Sequence, residues 1–253
     1  MIGIFDSGVG GLFVWQRLKE ELPGASTTYI ADQAFAPYGE KTRSEITERA
    51  KRVVRTLVEH GADMVVIACN TATVNAVEEL RAEFPELPIV GIEPAIKPAA
   101  QASDNIVVLG TNSTVSNPRY RELVAQYAEG KEVWNIGAPE LVHQVESGDL
   151  VDTTVLSQKL TQPVFEGADS LVVGCTHFSF LIPAIKHGWP QLRIFDGADG
   201  AIRRAVTLAE DLGIDDDDYP TDTLLTTGEA KKLSFIYPSL ELRHVDLTTN
   251  VEE

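Results

Sequence analysis

The 253-residue chain contains two cysteines, and both occupy the same place in an internal repeat. Residues 61–69, GADMVVIAC, recur without a gap as residues 167–175, GADSLVVGC. Each cysteine follows an apolar run typical of a buried strand and precedes a stretch with helical spacing of its apolar residues. Free backbone N–H groups and the positive end of the helix dipole at such a junction favour a thiolate. We therefore expect Cys69 and Cys175 to be reactive.

Three kinds of site could use this pair of thiols. The reducing compartment that we expect disfavours a disulfide, and no C-x-x-C motif accompanies the cysteines. A zinc site could include Cys69, Cys175 and His177, but the closely spaced cysteine pair typical of structural zinc is missing. In acid–base catalysis one thiolate removes a proton from carbon while the opposed thiol protonates the other face, which inverts a stereocentre. A single cysteine after a strand is more often a small buried hydrophobe, but its occurrence in both repeats favours paired function.

The glycine-rich turn at residues 6–11, DSGVGG, follows the first apolar run. Its N–H groups could form an anion-binding nest, although it does not complete G-x-G-x-x-G because Phe13 stands at the last position. Asp6 could bind an ammonium group, assist the nearby thiol or cap the following helix. His177 could poise Cys175 or bind a carboxylate. We expect the remaining histidines at the surface: His60, His143, His187 and His244.

Alternating strands and helices must position these residues. Apolar runs typical of buried strands lie at residues 2–5, 28–31, 64–68, 89–92, 106–109, 133–136, 171–174 and 192–195. Stretches with helical spacing lie at residues 14–22, 44–60, 73–84, 118–128, 153–165 and 201–212. The alternation predicts an α/β fold with mostly parallel sheets and with ligands near the carboxyl ends of strands.

The repeat predicts two α/β domains related by a pseudo-twofold axis, with the active site in the cleft between them. We expect residues 1–93 together with 206–253 to form the first domain, which carries Asp6 and Cys69. Residues 94–205 would form the second, which carries Cys175 and His177. We expect the strand-like residues 223–227 to pack on the first domain.

Composition excludes several classes of protein. Lys and Arg number 21 against 38 Asp and Glu, and the net charge of -17 opposes a nucleic-acid backbone. Two cysteines are too few for a disulfide-rich scaffold. No stretch approaches the roughly 20 apolar residues of a membrane span. We therefore expect a cytoplasmic protein that binds neither nucleic acid nor membrane.

Four motifs resemble those of the aspartate/glutamate racemase family. They are residues 5–11 (FDSGVGG), 37–39 (PYG), 69–72 (CNTA) and 174–178 (GCTHF). The resemblance covers almost the whole chain and includes Thr111, Thr114 and the TTG at residues 226–228. The Cys-Thr-His triplet is the specific part, because related aspartate racemases typically have Glu where His177 stands.

The resemblance implies interconversion of L- and D-glutamate by two cysteines, without metal or cofactor, by a homodimer that supplies D-glutamate for peptidoglycan. Cys69 would take the proton from D-glutamate and Cys175 from L-glutamate. Asp6 would support Cys69, and His177 with Glu146 would support Cys175. The residues implied to hold the substrate are Asp6, Ser7, Pro37, Tyr38, Gly39, Asn70, Thr71, Thr111, Thr114, Thr176 and His177.

This chemistry places a physical demand on the site, because the α-proton of an amino acid is far less acidic than a thiol of pKa about 8.5. We therefore expect a dry cleft that closes on the substrate, with N–H and hydroxyl donors aimed at its carboxylate. The chain departs from the family pattern at Ser113, where Gly is common, at Ser179, where Pro is usual, and at residues 137–140 (GAPE). Another acidic amino acid or a hydantoin as substrate, and a non-catalytic binding protein, remain open alternatives.

Overall fold

Strands and helices alternate along the chain in the computed structural model, which describes residues 1–148, 152–229 and 242–247. Within these ranges the strands are β1 (Ile2–Asp6), β2 (Thr27–Ala31), β3 (Met64–Ile67), β4 (Ile89–Gly91), β5 (Asn105–Gly110), β6 (Glu132–Gly137), β7 (Ser170–Gly174), β8 (Arg193–Asp196), β9 (Asp222–Thr226) and β10 (Leu242–His244). The helices are α1 (Leu12–Glu21), α2 (Arg43–Glu59), α3 (Asn70–Glu83), α4 (Ile96–Ala102), α5 (Asn112–Val115), α6 (Pro118–Tyr127), α7 (Pro139–Ser147), α8 (Thr153–Phe165), α9 (Ile182–Gly188) and α10 (Ala198–Leu212). Short 3₁₀ segments lie at Tyr38–Glu40 and Thr176–Leu181. None of the helices in the described ranges has the length and apolar character of a membrane-spanning segment.

The strands form two parallel sheets with the same core topology. The first has the order β10-β9-β2-β1-β3-β4 and the second the order β6-β5-β7-β8. Strands β5 to β8 therefore occupy the places that β1 to β4 occupy in the first sheet. The predicted α/β fold of two repeated units is confirmed, and β9 joins the first sheet beside β2, as expected of the tail.

The repeated sequence begins at a glycine because the backbone turns there in a left-handed conformation. Gly61 follows α2 with φ of 91°, and Gly167 follows α8 with φ of 108°. Only glycine adopts such angles without a steric cost. In each unit the chain then enters the central strand that ends next to a cysteine.

The strand register places the candidate site residues side by side. Phe5 of β1 pairs with Ile67 of β3, so Asp6 and Cys69 follow neighbouring strands in the first sheet. Gly110 of β5 pairs with Gly174 of β7, so Thr111 and Cys175 do the same in the second. Both cysteines thus lie at the carboxyl ends of central strands, where parallel sheets bind their ligands.

Two predicted strands are less buried than expected. Residues 133–136 and 192–195 were expected to be buried strands, but β6 and β8 are the edges of the second sheet and most of their residues are half-buried or exposed. An edge strand has a neighbour on one side only. The central strands β1, β3 and β7 are buried throughout.

The two units share part of their hydrophobic core. One buried cluster includes Ile4 and Val66 of the first sheet together with Leu109 and Leu171 of the second. Helix α10 spans the expected boundary between residues 205 and 206 and packs on α1, β3 and β4 of the first unit. We therefore propose that the second unit ends before Ala198. Residues 230–241 and 248–253 of the expected first domain lie outside the described residues.

Candidate active site

Both thiols are free and buried, with 4% of Cys69 and 6% of Cys175 exposed. Cys69 caps α3, and its Sγ accepts the N–H of Ala72 at 3.4 Å. The same thiol donates to the hydroxyl of Ser7 at 3.6 Å. Cys175 instead precedes the 3₁₀ segment Thr176–Leu181, which continues into α9.

The environment of Cys69 disfavours a thiolate. Burial raises the pKa of its thiol well above the usual value, and the negative charge of Asp6 raises it further. The N–H of Ala72 and the hydroxyl of Ser7 offset only part of these effects. The N–H at the start of α3 thus favours a thiolate, as expected, but burial and Asp6 outweigh it at Cys69.

Cys175 faces a buried ion pair. Its Sγ lies 3.7 Å from Nδ1 of His177, and Nε2 of His177 hydrogen-bonds Oε1 of Glu146. Burial opposes the charge of His177, but Glu146 and Cys175 together outweigh it and raise the pKa of His177 well above the usual value. Burial likewise opposes the charge of Glu146, but His177 and the hydrogen bonds from Val9 and Gln33 together bring the pKa of this carboxyl below its usual value. A thiolate at Cys175 would thus face a positive charge.

Glu146 is held from the first unit as well. The N–H of Val9 donates to its Oε1 at 3.0 Å, and Nε2 of Gln33 donates to Oε2 at 3.3 Å. Its carboxylate also lines a cavity of 310 Å³ together with Pro37 and His143. The structure therefore brings Glu146 into contact with His177, as the family resemblance implies. Gln33 joins them, although no motif or repeat marks it.

The glycine-rich turn forms an anion nest that the protein fills with its own carboxylates. Oδ2 of Asp6 accepts the N–H groups of Gly8 at 3.2 Å and Gly11 at 3.0 Å. Oδ1 accepts the hydroxyl of Thr176 at 3.2 Å, which ties this carboxyl to the second unit. Burial raises the pKa of Asp6, although His177 and the N–H groups partly offset the effect.

Two of these glycines allow the second unit to approach the turn closely. A methyl group on Gly8 would overlap Oε1 of Glu146. One on Gly10 would lie 2.7 Å from both the main-chain nitrogen of His177 and the hydroxyl of Thr176. Side chains at these positions would separate the two halves of the site.

Hydroxyl groups from both units meet beside Cys69. Oγ1 of Thr71 lies 3.0 Å from that of Thr111 and 3.2 Å from that of Thr114, and the latter two lie 3.0 Å apart. Oδ1 of Asn70 is buried and has no hydrogen-bond partner among the described residues. The site therefore offers three hydroxyls and one unpaired acceptor to a polar ligand.

The loop at residues 37–39 contacts both units. The hydroxyl of Tyr38 donates to Oδ2 of Asp32 at 2.7 Å, so it is used within the first unit. Asp32 also forms a bidentate ion pair with Arg49, at 2.6 and 2.7 Å. A methyl on Gly39 would lie 2.9 Å from Cβ of Thr111, so the loop backbone abuts the second unit. Sequence reasoning missed Asp32, although an acidic residue directly after an apolar strand was a possible signal.

The predicted site residues otherwise lie together at the carboxyl ends of the two sheets. Asp6, Ser7, Cys69, Asn70 and Thr71 come from the first unit, and Thr111, Thr114, Glu146, Cys175, Thr176 and His177 from the second. The other histidines are exposed, as expected. Within the described ranges, no group of three or more His, Cys, Asp or Glu side chains could hold a metal ion.

Comparisons with known proteins agree with this arrangement. Residues 12–205 match the sequence model of the Asp/Glu/Hydantoin racemase family. A glutamate racemase of Pseudomonas aeruginosa is 43% identical over 80% of this chain and 79% of its own. That of Stutzerimonas stutzeri is 38% identical over 94% and 93%. The crystal structure of Escherichia coli glutamate racemase in complex with L-glutamate and the activator UDP-MurNAc-Ala superposes with a TM-score of 0.85 at 30% identity, covering 96% of both chains. The chain therefore belongs to the Asp/Glu/Hydantoin racemase family.

Proposed function

We propose that this protein is a glutamate racemase that interconverts L- and D-glutamate with two cysteines and no cofactor. The observation that carries the proposal is the pair of buried thiols at equivalent strand ends of two repeated units. The names of the relatives support glutamate as the substrate. The two thiols would lie on opposite sides of the bound amino acid.

In one direction the thiolate of Cys69 takes the α-proton of D-glutamate, and the electron pair of the C–H bond remains on the α-carbon. The thiol of Cys175 then protonates the opposite face, which gives L-glutamate and leaves a thiolate at Cys175 and a thiol at Cys69. The reverse reaction exchanges these roles. The imidazolium of His177 stabilises the thiolate of Cys175. Asp6 binds the substrate ammonium, whose positive charge offsets the repulsion between Asp6 and a thiolate at Cys69.

Polar groups of the site stabilise the negative charge that develops on the substrate. The hydroxyls of Thr71, Thr111 and Thr114 donate to a carboxylate, and the free Oδ1 of Asn70 accepts from the ammonium group. The buried surroundings exclude water, so each of these interactions is stronger than it would be in solvent. The overall charge of -17 does not attract an acidic substrate, so recognition depends on these local donors.

We place the enzyme in the cytoplasm as a homodimer that makes D-glutamate for peptidoglycan. Two unpaired thiols suit a reducing compartment. The acidic surface gives no attraction for nucleic acid or for anionic membrane lipids. Light scattering of the purified protein measures the oligomeric state, and a monomeric mass would contradict the dimer.

The test of the activity is incubation of the purified protein with D-glutamate in heavy water. We expect L-glutamate that carries deuterium at the α-carbon, because the proton comes from a thiol that has equilibrated with solvent. Product without α-deuterium would contradict the mechanism. Replacing Cys69 or Cys175 by Ser should lower the racemisation rate by about a hundredfold or more.

A substrate panel separates this proposal from its alternatives. Turnover of aspartate or a hydantoin, without turnover of glutamate, would contradict the assignment of the substrate. Tight binding of glutamate without turnover would indicate a non-catalytic binding protein. The intact Cys69, Cys175, Asp6 and His177 favour an active enzyme.

A further inference from the structure

Helix α3 presents a polar stripe to the second unit. Thr71, Asn75 and Glu78 are spaced at i, i+4 and i+7, so they lie on one face of the helix. Thr71 contacts the hydroxyls of α5 and its cap, and Glu78 forms an ion pair with Arg119 of α6. Asn75 lies between them and is 5% exposed. We call these three residues of α3 the seam.

Asn75 makes hydrogen bonds to both units. Its Nδ2 donates to the carbonyl of Thr71 at 2.8 Å and to the hydroxyl of Ser113 at 3.1 Å. Its Oδ1 accepts from Nδ2 of Asn117 at 3.0 Å. Both ends of this buried amide therefore bond to the second unit, and loss of the amide leaves buried polar groups without a partner.

The partners of Asn75 are connected to the active site. Asn117 caps α6, with its Oδ1 accepting the N–H of Arg119 at 2.9 Å, and its own N–H donates to the carbonyl of Thr114 at 3.1 Å. On the other side, α3 begins directly after Cys69. Asn75 thus links the helix that positions one thiol to the segment that holds the site hydroxyls of the second unit.

We propose that Asn75 is a positioning residue that fixes the two units in their closed arrangement and thereby places Cys69 opposite Cys175. It touches neither thiol, and it acts through Thr71, Ser113 and Asn117. The mechanistic part rests on the proposed two-thiol racemisation, whereas the closing of the units by Asn75 does not. The two parts therefore have separate tests.

The first test measures access to the thiols and needs no turnover. Asn75→Leu should raise the rate at which iodoacetamide alkylates native Cys69 by about tenfold, measured by peptide mass spectrometry. The rate should change little at low urea concentration, because a local opening exposes little surface, whereas global unfolding depends steeply on urea.

The control is Asn135→Leu, which removes an exposed amide that bonds to Tyr120 and Val133 within the second unit. This variant should alkylate Cys69 at the rate of the unmodified protein. If both variants alkylate alike, Asn75 has no special role at the seam. Ser113→Ala removes the hydrogen bond between Ser113 and Asn75 and leaves the fold of α3 intact. If Asn75→Leu fails to fold, the alkylation rate of Cys69 in Ser113→Ala decides the role of Asn75.

The second test uses glutamate in heavy water at low conversion. We expect Asn75→Leu to increase severalfold the ratio of α-deuterium in recovered substrate to α-deuterium in product. The thiol that removed the α-proton exchanges with heavy water and returns a deuteron to the same face of the α-carbon, which labels the substrate. A smaller amount of folded enzyme lowers the α-deuterium in substrate and in product together, so it leaves their ratio unchanged. An unchanged ratio with unchanged alkylation overturns the proposal. Absence of turnover in the unmodified protein contradicts the racemase proposal alone, and the alkylation test still decides the role of Asn75.

Discussion

The sulfur of Cys175 lies 3.7 Å from Nδ1 of His177, at the end of a buried ion pair with Glu146. The sulfur of Cys69 occupies the equivalent strand end but faces the hydroxyl of Ser7 and the charge of Asp6. The two thiols are therefore equivalent in their position in the fold, but the charged groups around them differ.

This difference predicts selective alkylation. Near neutral pH, iodoacetamide should modify Cys175 at least about tenfold faster than Cys69, because burial and Asp6 raise the pKa of Cys69 and each unit of pKa changes the thiolate fraction about tenfold. Peptide mass spectrometry at partial modification measures both rates. In denaturant the two cysteines should react alike. Faster modification of Cys69 in the native protein would contradict this picture.

The ion pair predicts an unusual titration of His177. Because Glu146 raises the pKa of His177, the imidazolium should persist above the ordinary value of about 6.5, as NMR shifts of the ring would report. In Glu146→Gln the effect of burial is opposed only by Cys175, so the pKa of His177 should fall. Glu140→Gln on the same helix, which removes an ion pair with Lys159, should leave the His177 titration unchanged. A His177 that is neutral near pH 7 in the unmodified protein would rule out the ion pair.

The same ion pair should stabilise the fold over a defined pH range. The raised pKa of His177 gives stability that is complete below the unfolded pKa and is lost as the pH rises through the folded pKa. The lowered pKa of Glu146 gives stability that is present above its unfolded pKa and is lost at lower pH. The ion pair between His177 and Glu146 therefore contributes most to the free energy of unfolding between about pH 4.3 and 6.5.

The close approach at Gly10 predicts a large loss of activity on a small substitution. Gly10→Ala would place a methyl 2.7 Å from the main-chain nitrogen of His177, so the units must separate. We expect kcat/KM to fall by about a hundredfold, the typical cost of a misplacement near 1 Å. Gly200→Ala in α10 meets no atom within 4 Å and should stabilise the fold by about 0.5–1 kcal/mol. Activity retained in Gly10→Ala would show that the turn can move without cost.

The buried ion pair of Asp32 predicts a specific loss of stability. Arg49→Met leaves the carboxylate of Asp32 buried without its guanidinium and should lower the free energy of unfolding by about 3–5 kcal/mol. Arg43→Met on the same helix removes an exposed pair with Glu79, which should change stability by less than about 1 kcal/mol. Urea unfolding of both variants measures the difference. Similar values for the two would contradict a structural role for Asp32.

Most elements of the fold could be predicted because their periodic patterns are local. Residues 64–68 form β3 (Met64–Ile67), and residues 44–60 form α2 (Arg43–Glu59). Helix α4 (Ile96–Ala102) is not among the predicted helices. Pro98 lies in the first turn of that helix, where a proline is tolerated because its missing N–H has no partner there.

The candidate site was predictable only where the repeat or a motif marked it. The paired thiols follow from the repeat, whereas Asn75 has no local signal that distinguishes it from an exposed polar residue of a helix. Asn75 is buried because the second unit, which begins many residues later in the chain, packs against α3. The pKa of Cys69 could not be predicted either, because burial and Asp6, which oppose the helix terminus, depend on the folded arrangement.

The residues around the two thiols are buried, with Asp6, Ser7, Asn70, Thr176 and His177 all closed to solvent in this form. Under the proposed function, these residues must move apart for glutamate to reach the thiols, and separation of the two units would open the site. The frequency of this separation is therefore a ceiling on the rate of turnover, however fast the proton transfers are. A small molecule that holds the units together, or wedges them apart, would inhibit turnover without contact to any residue that binds glutamate.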